Sequence, residues 1–154
     1  MIRKRIISIL TMNNGVLFRT KKFIPDYRYT SNFVDSWNID EIVVLDVTRR
    51  NHKKNKGKFI KAVRNIAHKC FVPMAVGGGI QTIEDVKNYM DAGADKIVIN
   101  TGAILKPNLI SEISKKYGSQ AVIVSIDFKR ETKSKIISIL SHQGTKTTSL
   151  SLLD

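Results

Sequence analysis

A chain of 154 residues, 42% of them hydrophobic, is long enough for one domain with a real core and too short for two comfortable ones. No window of about eighteen apolar residues exists and no small-residue cleavage site follows the start, which predicts a soluble cytoplasmic protein without a membrane span. The net charge of +13 suits anionic sugars, an acidic partner or nucleic acid, but the basic cluster at residues 49–58 (RRNHKKNKGK) has no interleaved aromatics to stack bases, so it reads as a solvated loop and nucleic acid is disfavoured.

Residues 5–12 (RIISILTM) predict a strand, residues 15–23 an extended ribbon and residues 31–37 a short helix. The continuous apolar middle of residues 41–48 (EIVVLDVT) suits a strand buried on both faces. In residues 58–70, Phe59, Ile60, Val63, Ile66 and Ala67 share one helical face, with Lys and Arg on the other. Cys70 closes that pattern; as the lone cysteine it can form no internal disulfide, and it reads as a buried, inert thiol. A strand at residues 72–76 (VPMAV) then runs into Gly77, Gly78 and Gly79.

The unit repeats. A helix starts at Thr82, where Asp85 three residues on makes a cap of the Thr-x-x-acid type, and residues 96–100 (KIVIN) form the next strand. LKPNLISEISKKYG gives a helix with Pro107 near its first turn and Gly118 at its end. Residues 121–127 (AVIVSID) are a fifth strand, and KIISILSHQGTKTTSLSLLD after Arg130 supplies one ribbon. His52, His68 and His142 lack metal-like spacing with each other or with Cys70, so neither a metal nor a cofactor is expected.

Strands alternating with helices at this spacing imply right-handed crossovers and a parallel sheet. An open doubly wound sheet and a (β/α) barrel both satisfy that pattern. The polar residues favour the barrel: Asp46, Thr48, Gly77, Gly78, Gly79, Asn100, Thr101 and Asp127 all fall at the carboxyl ends of successive strands, which a barrel gathers into one mouth. A glycine-rich turn there lets backbone N–H groups approach a phosphate with no Cβ in the way, and Asn100 and Thr101 add donors beside it. One glycine suffices for most turns, so three favour phosphate binding over a sharp turn alone. On that reading Gly78→Val weakens binding and spares the fold.

RIISILTMNNG, EIVVLDVT, VPMAVGGGIQTIEDVKNYMDAGADKIVIN and GSQAVIVSIDFKR resemble the amino-terminal half of the cyclase subunit of imidazole glycerol phosphate synthase, over about residues 5–130. The resemblance implies a (β/α)8 barrel that takes ammonia from a glutaminase partner and uses it to cleave and cyclise a bis-phosphorylated ribulose-type intermediate. It carries Gly77, Gly78, Gly79, Asn100 and Thr101 onto one of the family's two phosphate sites, Asp46 onto a strand-end acid facing the mouth, and Arg19 onto a lysine of the segment after the first strand. Asp127 matches the second of the family's two general acid/base aspartates. Thr11 stands where the first belongs, and a hydroxyl does not hold and return a proton near neutral pH as a carboxylate does. At the opposite face Arg5, Glu41 and Lys96 match three members of a charged ring that gates ammonia entry; as ordinary surface ion pairs they would be worth little.

The missing aspartate, the LTMNNGVLFRTKKF segment and LDVTRRN look more like a divergent branch of that family. Its members are thought to work with a glutaminase-like subunit and an amidotransferase in converting acetamido groups of surface sugars to acetamidino groups. Five β/α units also fall short of the eight strands, and the roughly 200 to 250 residues, of a whole barrel. The expectation is one barrel-type domain over residues 1–154, incomplete at its C-terminus, whose unpaired strand edges invite self-association. Three functions stay open: an active cyclase-type enzyme, a non-catalytic ammonia-relay or scaffold subunit, and an inactive fragment.

Overall fold

The computed structural model describes residues 4–17, 19–21, 24–26, 39–49, 52–130 and 137–151. The short helix expected at residues 31–37 lies outside them. The first strand, β1 (Ile7–Asn13), turns at Asn14 and Gly15, both with positive φ, into β2 (Val16–Leu17). Met12 pairs with Leu17 and Asn13 with Val16, a two-residue hairpin of the kind that Asn-Gly specifies. A second small ribbon follows from β3 (Arg19–Lys21) and β4 (Ile24–Asp26).

The main sheet is carried by β1, β5 (Glu41–Asp46), β6 (Met74–Gly77), β7 (Lys96–Ile99) and β8 (Val122–Val124), all parallel. With β2 at the edge, the strand order is β2-β1-β5-β6-β7-β8. The parallel strands lie in chain order, with none of the reversal that creates the switch point of a doubly wound sheet. That order decides between the two architectures: these are consecutive units of a (β/α) barrel wall.

Helix α1 (His52–Ala67) connects β5 to β6, α2 (Ile83–Met90) connects β6 to β7, and α3 (Thr101–Leu105) with α4 (Asn108–Tyr117) connects β7 to β8. Each helix lays an apolar stripe on one side of the sheet. There Leu10, Met12, Ile42, Val44, Met74, Val76, Ile97 and Ile99 meet Phe59, Val63, Val86, Tyr89, Leu109 and Ile113 in one buried cluster. The other face follows from the two-residue period of the strands: Ile7 and Ile9 of β1 are 48% and 62% exposed. No described helix is long and apolar enough to cross a membrane.

Three expectations change. Residues 52–58 of the basic cluster are the first turns of α1, not a solvated loop, and Lys56 there pairs with Asp85 on α2. The strand expected over residues 121–127 stops at Val124. Asp127 instead opens β9 (Asp127–Arg130), which pairs antiparallel with β10 (Ile137–Ser141), itself paired with β11 (Lys146–Thr147). Cys70 is half-buried past the end of α1, its thiol donating to the Val72 carbonyl at 3.3 Å. The expected cap of α2 is present in full: Thr82 Oγ1 accepts the Asp85 N–H, and the Asp85 carboxylate accepts the Thr82 N–H.

Candidate functional site

The glycine loop leaves β6 between its two neighbours, and each glycine answers a local demand. A Cβ on Gly77 would lie 2.6 Å from the Val98 carbonyl oxygen of β7; one on Gly78 would lie 2.5 Å from the Asp46 oxygen at the end of β5. Gly78 and Gly79 also have φ of 118° and 62°, where side chains other than glycine are strained. Close approach and a left-handed backbone therefore account for glycine at 77 and 78 without a ligand. The same geometry leaves a turn with no side chains in front of its backbone, so the two explanations coexist.

The second loop meets the first. Gly102 packs so tightly on the loop that a Cβ would stand 2.5 Å from the Ile80 carbonyl oxygen, which sets the loop of residues 100–102 against the end of the glycine loop. Asn100 caps α3 with its backbone alone, making no side-chain cap bond. Its amide nitrogen donates to the Ser125 carbonyl at 3.0 Å, holding the end of β8 to the end of β7. Thr101 Oγ1 accepts the backbone N–H of His142 at 2.8 Å, and the Gln143 amide reaches the Thr48 carbonyl at 3.5 Å. The tip of the β10-β11 hairpin, with His142 and Gln143 both at positive φ, thus lies across the carboxyl ends of β5 and β7. The pattern HQG marks a turn, but nothing in the sequence says where that turn lands.

Asp46 sits at the mouth end yet under the loop. Alternation puts it with Ile42 and Val44 on the helix-covered side, 4% exposed, with its carboxylate accepting the Thr48 N–H at 3.0 Å. It buttresses Gly78 rather than opening into the mouth. Thr11 lies on the opposite face of β1, half-buried, and Asp127 stands where β8 gives way to β9, with Leu140 as its partner. Thr11 lies on the first parallel strand and Asp127 three residues past the end of the last, β8, with β5, β6 and β7 between those two strands. Arg19 is the first residue of β3.

At the other end of the sheet, three charges expected together are together. Glu41, the first residue of β5 and 8% exposed, takes the Arg5 guanidinium on one carboxylate oxygen and Lys96 Nζ on the other, the latter at 3.2 Å. Among the described residues no group of three or more His, Cys, Asp or Glu could hold a metal ion.

Parallel strands in chain order, helical crossovers and polar loops collected at the strand ends define a protein of the (β/α) barrel class. The model of a family described as histidine biosynthesis protein matches residues 8–154, and the chain belongs to that family. It is 42% identical over 135 residues to the imidazole glycerol phosphate synthase subunit HisF of Methanocaldococcus jannaschii, covering 84% of this chain and 49% of that protein. The subunit of the same name from Dictyoglomus thermophilum is 38% identical over 138 residues, covering 86% of this chain and 54% of its own length. The chain spans about half the length of the curated relatives it matches.

Proposed function

We propose that the chain is a cyclase-type subunit of the imidazole glycerol phosphate synthase kind, which holds a phosphorylated sugar at its strand-end loops and uses ammonia delivered by a glutaminase partner. The observation that carries this reading is the meeting of two backbone-rich loops, residues 77–80 and 100–102, at the carboxyl ends of adjacent strands. That is where barrel enzymes bind phosphate, and the HisF relatives support it. Asp127 is the one carboxylate of the acid/base pair, and Arg19 the cation of the segment after β1. Arg5, Glu41 and Lys96 are the ammonia gate at the opposite end.

Thr11 favours the divergent branch, in which ammonia serves the amidination of acetamido groups on surface-polysaccharide sugars. A barrel with one carboxylate has no second group to complete the proton transfers of imidazole formation. The test is incubation of the purified chain, completed by the C-terminal half of a related synthase, with the ribulose-type intermediate and ammonia. No imidazole glycerol phosphate is expected from the Thr11 protein, and Thr11→Asp should produce it. Product from the unaltered chain would return it to histidine synthesis, and no gain from Thr11→Asp would count against Thr11 as the catalytic position.

A second reading, a non-catalytic ammonia relay, is favoured by one observation: the gate cluster is assembled around Glu41 although the acid/base pair is not. It predicts stimulation of a glutaminase partner with no binding of the sugar phosphate. Neither stimulation nor binding would leave the chain an inactive fragment.

A further inference from the structure

The peptide between Gly78 and Gly79 joins two residues of positive φ, and with no Cβ on either side little intrinsic preference fixes its orientation. Something else must fix it. Tyr89 of α2, fully buried, donates its hydroxyl to the Gly78 carbonyl oxygen at 2.9 Å. Its ring is held edge-on by Phe59, with centroids 5.5 Å apart, and Lys56 Nζ lies 5.7 Å from its centre while pairing with Asp85 at the capped start of the same helix. Burial above all, and then the charges of Asp46 and Asp85, push the phenol well above its ordinary value, so it remains a proton donor throughout the neutral range.

In a planar trans peptide the C=O and the following N–H point in opposite directions. Anchoring the Gly78 carbonyl toward the helix layer therefore turns the Gly79 N–H away from it, toward the strand-end opening. We propose that Tyr89 is a positioning residue, whose hydroxyl locks the Gly78 to Gly79 peptide so that the Gly79 N–H is presented to a bound phosphate. This rests on the reading of the loop as a phosphate site. A leucine or phenylalanine would fill the same core position, but neither would hold the peptide.

The experiment is titration of the 15N-labelled chain with inorganic phosphate, following the amide resonances of residues 77–79. The unaltered protein should give a saturable shift at Gly79, and Tyr89→Phe should weaken it about three- to tenfold, the worth of one hydrogen bond. Phe59→Leu, which loosens the same packing and keeps the hydroxyl, should retain the affinity. Tyr89→Leu serves in place of Tyr89→Phe if the phenyl variant does not fold. Equal affinity in the hydroxyl-less variant, or an equal loss in Phe59→Leu, overturns the role of Tyr89 and leaves the loop reading standing. No shift in the unaltered protein overturns both.

Discussion

Gly77 and Gly78 are constrained in different ways. Gly77 needs room against Val98, whereas Gly78 needs both room against Asp46 and a positive φ. Because the obstructing atom at Gly78 is backbone, a side chain there has no flexible neighbour to displace. Gly78→Val is therefore expected to destabilise the protein by about 2–4 kcal/mol in urea unfolding, contrary to the expectation that it spares the fold; unchanged stability would mean the loop relaxes. Asp85 carries a second prediction. Burial alone raises its carboxyl, but the hydrogen bond from Lys56, with Gln81 and Thr82, outweighs this and holds it below 3.8. The stability it contributes is thus fully present above 3.8 and is lost as pH falls through the lower folded value. Asp85→Asn should melt lower than the unaltered protein at neutral pH, by about 1 kcal/mol, with the gap closing as the pH drops below that range. A gap that persists in acid would place the effect outside the ionised carboxylate. The Thr82 cap was legible because its partner is three residues away. Lys56 was not, because its partner is 29 residues away, and nothing in the sequence around Tyr89 names the Gly78 carbonyl as its partner, although a buried tyrosine does require one for its hydroxyl.

At the scale of elements, what sequence pattern read well were the long amphipathic helices and the apolar strands, and what it misread were the junctions. Residues 52–58 contain Gly57 and put no acid in the first turn of α1, so local signals argue against a helix. Contacts across the fold override them: Lys56 with Asp85, and the Asn55 amide with the Asn14 side chain at 2.8 Å. The break after Val124 was invisible for another reason. Alternating residues suit a parallel strand and an antiparallel ribbon equally, so the pattern runs through Ser125 and Ile126 while the chain changes sheets. The docking of the β10-β11 tip depends on Thr101, whose hydroxyl accepts the His142 N–H. Thr101→Val should speed amide exchange at His142 at least several-fold, with little change at Ile97 in β7. Unchanged protection at His142 would mean that the hairpin is held by its own turn.

At the scale of the molecule, the barrel class was legible because polar residues recur at every strand end, and the chain-order sheet agrees. One side of that sheet is covered by helices; on the other, β1 exposes Ile7 and Ile9. Parallel sheets are stable when both faces are covered. The purified 154-residue chain is therefore expected to self-associate, with Ile9→Lys shifting light-scattering mass toward the monomer; a monomeric unaltered chain would contradict this. The most direct test of the account is calorimetric titration of the chain with the bis-phosphorylated ribulose-type intermediate, beside Gly79→Ala, whose exposed position at positive φ crowds the loop at modest cost to the fold. Saturable binding is expected, weakening in the variant while its circular dichroism spectrum stays the same. Absence of binding, or equal affinity in both proteins, would contradict a phosphate grip at residues 77–79.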